Sequence, residues 1–128
     1  MAIKKVSLTD QERSNLYMAS FKRASSGTAY DNRRHNRVMD KTKYEEWETT
    51  YVNKYVNANG EEKVIKNGEN TTGWAPKPID GTVKHDFELE EIDFNWMYGV
   101  LQKHEGWIGP AKVVESLLIT FGHKWGDE

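Results

Sequence analysis

The sequence predicts an α+β fold, with three or four helices and a small antiparallel sheet of two or three strands. Near the C-terminus, apolar residues recur at the i, i+3, i+4, i+7 spacing of a buried helical face, at Val114, Leu117, Leu118 and Phe121. Thr9 followed by Glu12 forms a capping box, which begins a helix. The pairs Asn59-Gly60 and Asn67-Gly68 are typical of tight turns between strands.

In the N-terminal third, the patterns predict two helices. The first, over residues 10–23, follows the capping box and ends before the break Ser25-Ser26-Gly27. The second is a long helix over residues 29–52, which contains no Gly or Pro. Its end carries the β-branched and aromatic run Thr49 to Val52, where the helix can give way to a strand.

In the remainder, the turn signals and apolar spacing predict short strands and two more helices. Residues 55–57 and 62–66 are expected to pair. Residues 87–92 fit either a strand that adds to that hairpin or the start of a helix, and we favour the strand. Asp93 is expected to cap a helix through about residue 104 whose buried face carries Trp96, Met97, Val100 and Leu101. Pro110 then begins the last helix, in which we expect Leu117, Leu118 and Phe121 to be buried.

Length and composition predict one ordered domain. The chain has 128 residues, which is about the usual size of a single domain. Mean hydropathy is low at −0.84, but aromatic residues make up 12% of the chain, which is unlike a disordered sequence. We therefore predict a single domain over residues 1–128, with an N-terminal helix within 1–25 and a long loop over 69–84.

The same composition excludes several classes of protein. There is no Cys, so disulfide frameworks, thiolate zinc sites and cysteine nucleophiles are ruled out. The first residues are polar rather than an apolar leader, and the most apolar run, residues 113–121, is far shorter than the ~20 residues of a membrane span. We expect a cytoplasmic protein that does not bind membranes.

Basic residues are concentrated in the N-terminal third. Residues 1–43 hold ten Lys or Arg against four Asp or Glu, whereas residues 44–128 carry a net charge of −8. Arg33, Arg37 and Lys41 are four apart and line one helical stripe, with Arg34 beside them. The stripe suits a solvated or salt-bridged face, an acidic protein partner or a nucleic-acid backbone. The sequence pI near 6.1 weighs against nucleic acid.

Aromatic residues supply the second set of candidate contacts. Tyr44, Trp47, Tyr51 and Tyr55 recur at spacings of three and four and are predicted to share one helical face. Such a face serves as core, as an oligomer interface or as a partner site, because Tyr and Trp are enriched in interface hot spots. Trp74 lies alone in a Gly- and Pro-flanked loop, where it either covers the core or contacts a partner.

No pattern in the sequence indicates catalysis, a cofactor or a metal. The four histidines are far apart in the sequence, at His35, His85, His104 and His123. The acidic run from Asp86 to Asp93 lacks the glycine and the ligand spacing of a calcium loop. Nucleotide-binding, hydrolase and deaminase motifs are absent from the sequence. We therefore expect a protein that is not an enzyme, with no cofactor and no metal.

The layout of the chain resembles that of small uncharacterised proteins of tailed bacteriophages. The resemblance covers about residues 29–121 and is carried by Arg33-Arg34-His35-Asn36-Arg37, Tyr44-Glu45-Glu46-Trp47, Asn59-Gly60-Glu61-Glu62, Glu90-Glu91-Ile92-Asp93 and the segment Pro110 to Phe121. The capped N-terminal helix and the loop 69–84 are additions to that layout. The resemblance implies a phage or prophage setting and carries over no catalytic residue.

The resemblance implies a non-enzymatic accessory protein that binds and blocks a host macromolecule, as anti-defence and anti-CRISPR inhibitors do, and this is the function that we expect. The expected partner is a host protein or protein–nucleic-acid complex. The expected contacts are Arg33, Arg34, Arg37, Lys41, Tyr44, Trp47, Tyr51 and Trp74. The alternatives are a virion assembly or minor structural protein and a nucleic-acid binder that uses the Arg33, Arg37 and Lys41 stripe. The opposite charges of the two segments either pair across a homodimer or neutralise each other within a monomer, and the small number of aliphatic residues favours the homodimer.

Overall fold

The computed structural model describes residues 2–104 and 106–124, and it has the predicted α+β architecture. Among these residues there are five helices, one more than the upper prediction, and two small antiparallel sheets. In chain order the elements are β1 (Ile3–Thr9), α1 (Asp10–Ser26), α2 (Ala29–Lys41), α3 (Tyr44–Tyr51), β2 (Lys54–Val56), β3 (Glu62–Val64), β4 (Ala75–Pro76), β5 (Lys84–Glu90), α4 (Glu91–Gln102) and α5 (Ala111–Thr120).

The chain forms two compact units. Unit 1 contains the described residues up to Tyr44 and from Asp80 onward, and unit 2 contains Glu45–Ile79. Unit 1 thus holds the two-stranded sheet and α1, α2, α4 and α5, whereas unit 2 holds the three-stranded sheet.

The sheet of unit 1 pairs β1 with β5, with Val6 opposite Phe87. Val6 and Phe87 are buried, as are Leu8 and Leu89 on the same face, because side chains alternate between the two faces of a strand. The sequence analysis missed β1, which precedes α1 within residues 1–25. It also wrongly paired the strand at residues 87–92 with the central hairpin. The alternation in β1 is short and is interrupted by lysines, so it gave only a weak strand signal.

Helix α1 begins at its predicted capping box. The Glu12 amide donates to Thr9 Oγ1 at 3.1 Å, and the Thr9 amide donates to Glu12 Oε1 at 3.0 Å. The long helix predicted over residues 29–52 is wrong, since the structure has α2 and α3 instead. Helix α2 ends at Lys41. The Thr42 hydroxyl donates a hydrogen bond to the Val38 carbonyl, and Lys43 adopts a left-handed φ of 54°. Because these features are confined to two residues, the helical spacing of the whole segment did not predict the end of α2.

Unit 2 contains most of α3 and a small sheet in the order β3-β2-β4. The predicted hairpin at Asn59-Gly60 is confirmed, because β2 pairs with β3 and Gly60 has a φ of +81°, which favours glycine. Within residues 69–84, predicted as a loop, the two-residue strand β4 adds to this sheet and β5 begins at Lys84. Ile65 is the most buried apolar side chain described in this unit.

The core of unit 1 lies between the inner face of its sheet and the four helices. It is formed by Val6, Leu8, Leu16, Ala19, Val38, Phe87, Leu89, Met97, Val100, Leu101, Ile108, Leu117 and Phe121. Leu117 and Phe121 are buried as predicted, whereas Leu118 is only half-buried. Helix α4 begins at Glu91 rather than after Asp93, so Asp93 lies inside the helix and does not cap it.

Replacing Leu117 with alanine is expected to lower the free energy of unfolding by about 2–5 kcal/mol, because the side chain is fully buried and its loss leaves a cavity. Urea unfolding of the purified protein measures the change. Ile119→Ala is the matched control, since Ile119 is on the same helix but 55% exposed. Equal losses of unfolding free energy for the two variants would contradict the placement of α5 in the core.

Candidate functional site: a basic and aromatic groove beside α4

Two of the predicted basic contact residues are engaged within the protein. Asp93, which is 0% exposed, accepts hydrogen bonds from Arg34 Nη1 at 2.6 Å and from Arg37 Nε at 3.1 Å. Arg37 Nη2 also lies 2.9 Å from a carboxylate oxygen of Glu90. Arg34 is buried and Arg37 is half-buried. These two arginines therefore hold α2 against α4.

The other two basic residues, Arg33 and Lys41, are exposed on α2. The spacing of Arg33, Arg37 and Lys41 is helical, as predicted, but Arg37 is already occupied by two carboxylates. The part of the stripe that faces solvent is therefore reduced to its two ends. Two separated cations match the successive phosphates of a nucleic-acid backbone less well than a continuous stripe would.

The predicted aromatic face is not one helical surface, because α3 ends at Tyr51 and Tyr55 lies in β2. Tyr44 is buried in unit 1, where its ring stacks on Tyr17 at 4.4 Å between centroids. In unit 2, the rings of Trp47 and Tyr51 lie 5.0 Å apart. The predicted aromatic contacts are thus divided between the two units.

Trp74 is half-buried in unit 2, with the ammonium group of Lys63 4.4 Å from its ring centroid. In the same unit, Lys77 lies 5.3 Å from the ring centroid of Tyr51 and 2.9 Å from Glu62. Cation–π contacts of this kind stabilise the packing of a small sheet. Each of these two lysines thus covers an aromatic ring of unit 2.

A concave surface of unit 1 is a groove of about 830 Å³ beside α4. The end of α1, the start of α2 and the outer face of α4 form its walls. A second depression, of about 600 Å³, shares Tyr30, Asn95 and Trp96 with it and extends toward the start of α4. We call the two together the α4 groove.

The groove is positioned by Asp31. One oxygen of its carboxylate accepts a hydrogen bond from the Thr28 amide at 2.9 Å, which caps α2, and the other accepts Trp96 Nε1 at 2.9 Å. The hydrogen bond from the Thr28 backbone, followed by that from Trp96, lowers the pKa of Asp31 below its ordinary value of 3.8. The ionised carboxylate therefore fixes both the start of α2 and the Trp96 ring.

Cations surround one end of the groove. Lys22, Arg23 and Lys103 line it at the ends of α1 and α4. Arg23 lies 3.5 Å from Asp31, and Lys22 Nζ donates to the Trp107 carbonyl at 2.6 Å. Among the described residues that line this end, three are cationic and the only carboxylate is that of Asp31, so these residues together carry positive charge.

Two aromatic side chains and a glycine form the apolar part of the groove. Tyr30 is 52% exposed, and the Arg34 guanidinium lies 5.4 Å from its ring centroid. Trp96 is half-buried, whereas its predicted companions Met97, Val100 and Leu101 are buried. Gly99 lies in the third turn of α4, between Trp96 and Lys103 on the same face.

Sequence reasoning missed this groove because its walls come from segments about 70 residues apart in the chain. One local signal was present. A glycine inside an otherwise helical pattern is unfavourable, and it usually has a packing or functional reason. The sequence analysis noted the helix but not its glycine.

No family model, curated protein or solved structure matches the chain. Among residues 2–104 and 106–124, no helix has the length and apolar character needed to cross a membrane. In the same ranges, no cluster of three or more His, Asp or Glu side chains is arranged to bind a metal ion. The α4 groove is therefore the candidate site on geometric grounds.

Replacing Asp31 with asparagine is expected to flatten the acid dependence of stability. Because the pKa of Asp31 is lowered by folding, its ionised form stabilises the protein above the unfolded value of 3.8, and this contribution is lost as the pH falls through the folded pKa. Urea unfolding between pH 5 and pH 2 should give a steeper loss for the wild type than for Asp31→Asn.

Asp40→Asn is the matched control for this experiment, because Asp40 is an exposed residue of the same helix. It should keep the wild-type slope. Parallel curves for the wild type and Asp31→Asn would contradict the role given to the Asp31 carboxylate.

Proposed function

We propose that the protein is a non-catalytic binding protein that occupies a surface of a macromolecular partner through the α4 groove. The observation that carries the proposal is the exposed Tyr30 ring and the half-buried Trp96 ring in one groove with Lys22, Arg23 and Lys103. Tyr, Trp and Arg dominate the binding energy of protein interfaces. Aromatic rings supply contact area there, and cations select the partner by charge.

The layout resemblance to small proteins of tailed bacteriophages supports a phage setting for this activity. In that setting the partner is a host protein or protein–nucleic-acid complex in the cytoplasm, and binding would block it, as anti-defence and anti-CRISPR inhibitors do. A virion assembly role uses the same kind of contact surface with a phage protein as partner. A homodimer is a further proposal, and light scattering measures it.

Direct binding of nucleic acid through Arg33, Arg37 and Lys41 is the alternative function. It is less favoured because Arg37 is bound to Glu90 and Asp93. Phosphate contacts would have to replace these ion pairs, and the buried Asp93 would then lose one of its two arginine partners. Binding through the stripe would also fall steeply with salt.

The proposal is tested by a matched pair of variants in capture from host lysate. Tyr30→Ala with Lys103→Ala changes the groove, whereas Arg33→Ala with Lys41→Ala changes two exposed residues outside it. The groove variant should lose most of the captured partner, about tenfold or more for a hot-spot loss of about 1.4 kcal/mol. Thermal melts establish that both variants are folded.

Capture that is unchanged by the groove variant would contradict the proposal. Loss in the Arg33 and Lys41 variant alone, with nucleic acid in the captured material and a steep salt dependence, would support the nucleic-acid alternative instead. Capture of virion components by the wild type, lost in the groove variant, would favour the assembly role.

A further inference from the structure

One face of α4 is open along its length. Ile92, Asn95, Trp96, Gly99 and Lys103 lie on this face, and each is exposed or half-buried. Their spacing spans about three helical turns, or about 17 Å. Both depressions of the α4 groove follow this face, so the groove is elongated rather than round. Its length suits a segment of a macromolecule better than a small molecule.

Gly99 is the residue in this face that the fold of unit 1 does not explain. Glycine inside a helix costs about 1 kcal/mol relative to alanine. A Cβ added at Gly99 would meet no atom of the described residues within 4 Å, its chain neighbours and the nearby backbone of α4 aside. An alanine would thus fit the free protein. The glycine instead leaves room for the backbone of another molecule to approach α4 closely.

The charges along the groove define the chemistry of that molecule. Lys22, Arg23 and Lys103 lie at the end of α4, and Glu91 lies at its start, about 18 Å away along the helix. The positive end selects acidic side chains. Glu91 repels a continuous series of phosphates, which would place negative charge along the whole groove.

The wall of the groove also limits the conformation of its occupant. The long wall is α4, whose interior backbone amides and carbonyls are bonded within the helix, and no strand of the described residues lines the groove. A strand laid along α4 would find no backbone partners for its own unpaired groups. A helix satisfies its backbone hydrogen bonds internally and needs none from the wall, so it is the conformation that this surface accepts.

From these observations we infer that the α4 groove binds an acidic amphipathic helix of a protein partner. The helix packs its backbone against Gly99, its apolar face against Trp96 and Tyr30, and its carboxylates against Lys22, Arg23 and Lys103. This inference rests on the proposed function and names the chemical class of the partner.

The test uses two fluorescent peptides of about 16 residues, each with Leu and Ala at i, i+3, i+4 and i+7. One carries Glu at its polar positions and the other carries Lys. The wild-type protein should bind the Glu peptide about tenfold more tightly than the Lys peptide at low salt, as measured by fluorescence anisotropy. Equal binding, preference for the Lys peptide, or binding of neither would overturn the inference.

Two variants locate the binding. Lys103→Glu should weaken the Glu peptide about tenfold, whereas Lys41→Glu, the same charge change on an exposed residue outside the groove, should leave the affinity unchanged. Gly99→Ala should weaken the Glu peptide about tenfold and raise the melting temperature by about 3–5 °C, since alanine favours the helix. A purely structural glycine would not give these opposite effects.

Failure of the inference and failure of the proposed function are distinguishable. If neither peptide binds but the groove variant still loses its partner from lysate, the groove is a contact surface for another kind of occupant. If Gly99→Ala binds the Glu peptide as the wild type does, the close backbone approach is wrong. A duplex oligonucleotide that binds more tightly than the Glu peptide and is lost in Lys103→Glu would overturn the acidic helix in favour of nucleic acid.

Discussion

The buried carboxylate of Asp93 is the constraint on which the arrangement of unit 1 depends. Because Asp93 is fully buried, its charge must be balanced inside the protein, and Arg34 and Arg37 provide that balance from α2. The interaction fixes which face of α4 turns toward α2. A buried ion pair contributes little net stability relative to well-packed apolar residues, but the loss of one partner is strongly destabilising. Its effect here is therefore on the pairing of the two helices.

The α4 groove follows from that pairing. With α2 fixed on α4, Asp31 at the start of α2 lies within hydrogen-bond distance of the Trp96 indole. The same carboxylate completes the capping box with Thr28, so one ionised group both begins a helix and holds a groove side chain. Arg34 adds a third connection, since its guanidinium also lies near the Tyr30 ring. The groove is thus built on groups that the fold itself requires.

Several parts of this architecture were predictable because their signals are local. The Thr9 and Glu12 capping box, the Asn59-Gly60 hairpin and the apolar face around Leu117 each depend on residues close in the sequence. The division of the predicted long helix into α2 and α3 was not predictable, since it depends on the left-handed conformation of Lys43. Strand β1 was not predictable either, because its partner strand β5 lies about 80 residues further along the chain.

The candidate site was likewise only partly predictable from local sequence signals. Arg34 and Arg37 were predicted as partner contacts, and periodicity does not reveal that a carboxylate almost 60 residues away binds both of them within the protein. The sequence analysis gave Asp93 the role of a helix cap, which is the commonest role of an aspartate before an apolar helical pattern. Only the tertiary structure places it beneath α2. The role of Trp96 and Gly99 was not predictable for the same reason, because they line a groove only when α1 and α2 pack beside α4.

A double-mutant cycle on Arg34 and Asp93 tests this account most directly. Arg34→Met, Asp93→Leu and the double variant would be compared with the wild type in urea unfolding. Each single change leaves a buried charge with one partner fewer and should lower the free energy of unfolding by about 3–5 kcal/mol. The double variant should lose less than the sum, by about 2 kcal/mol or more. Losses that add within about 0.5 kcal/mol would contradict the account, because the two residues would then not be coupled.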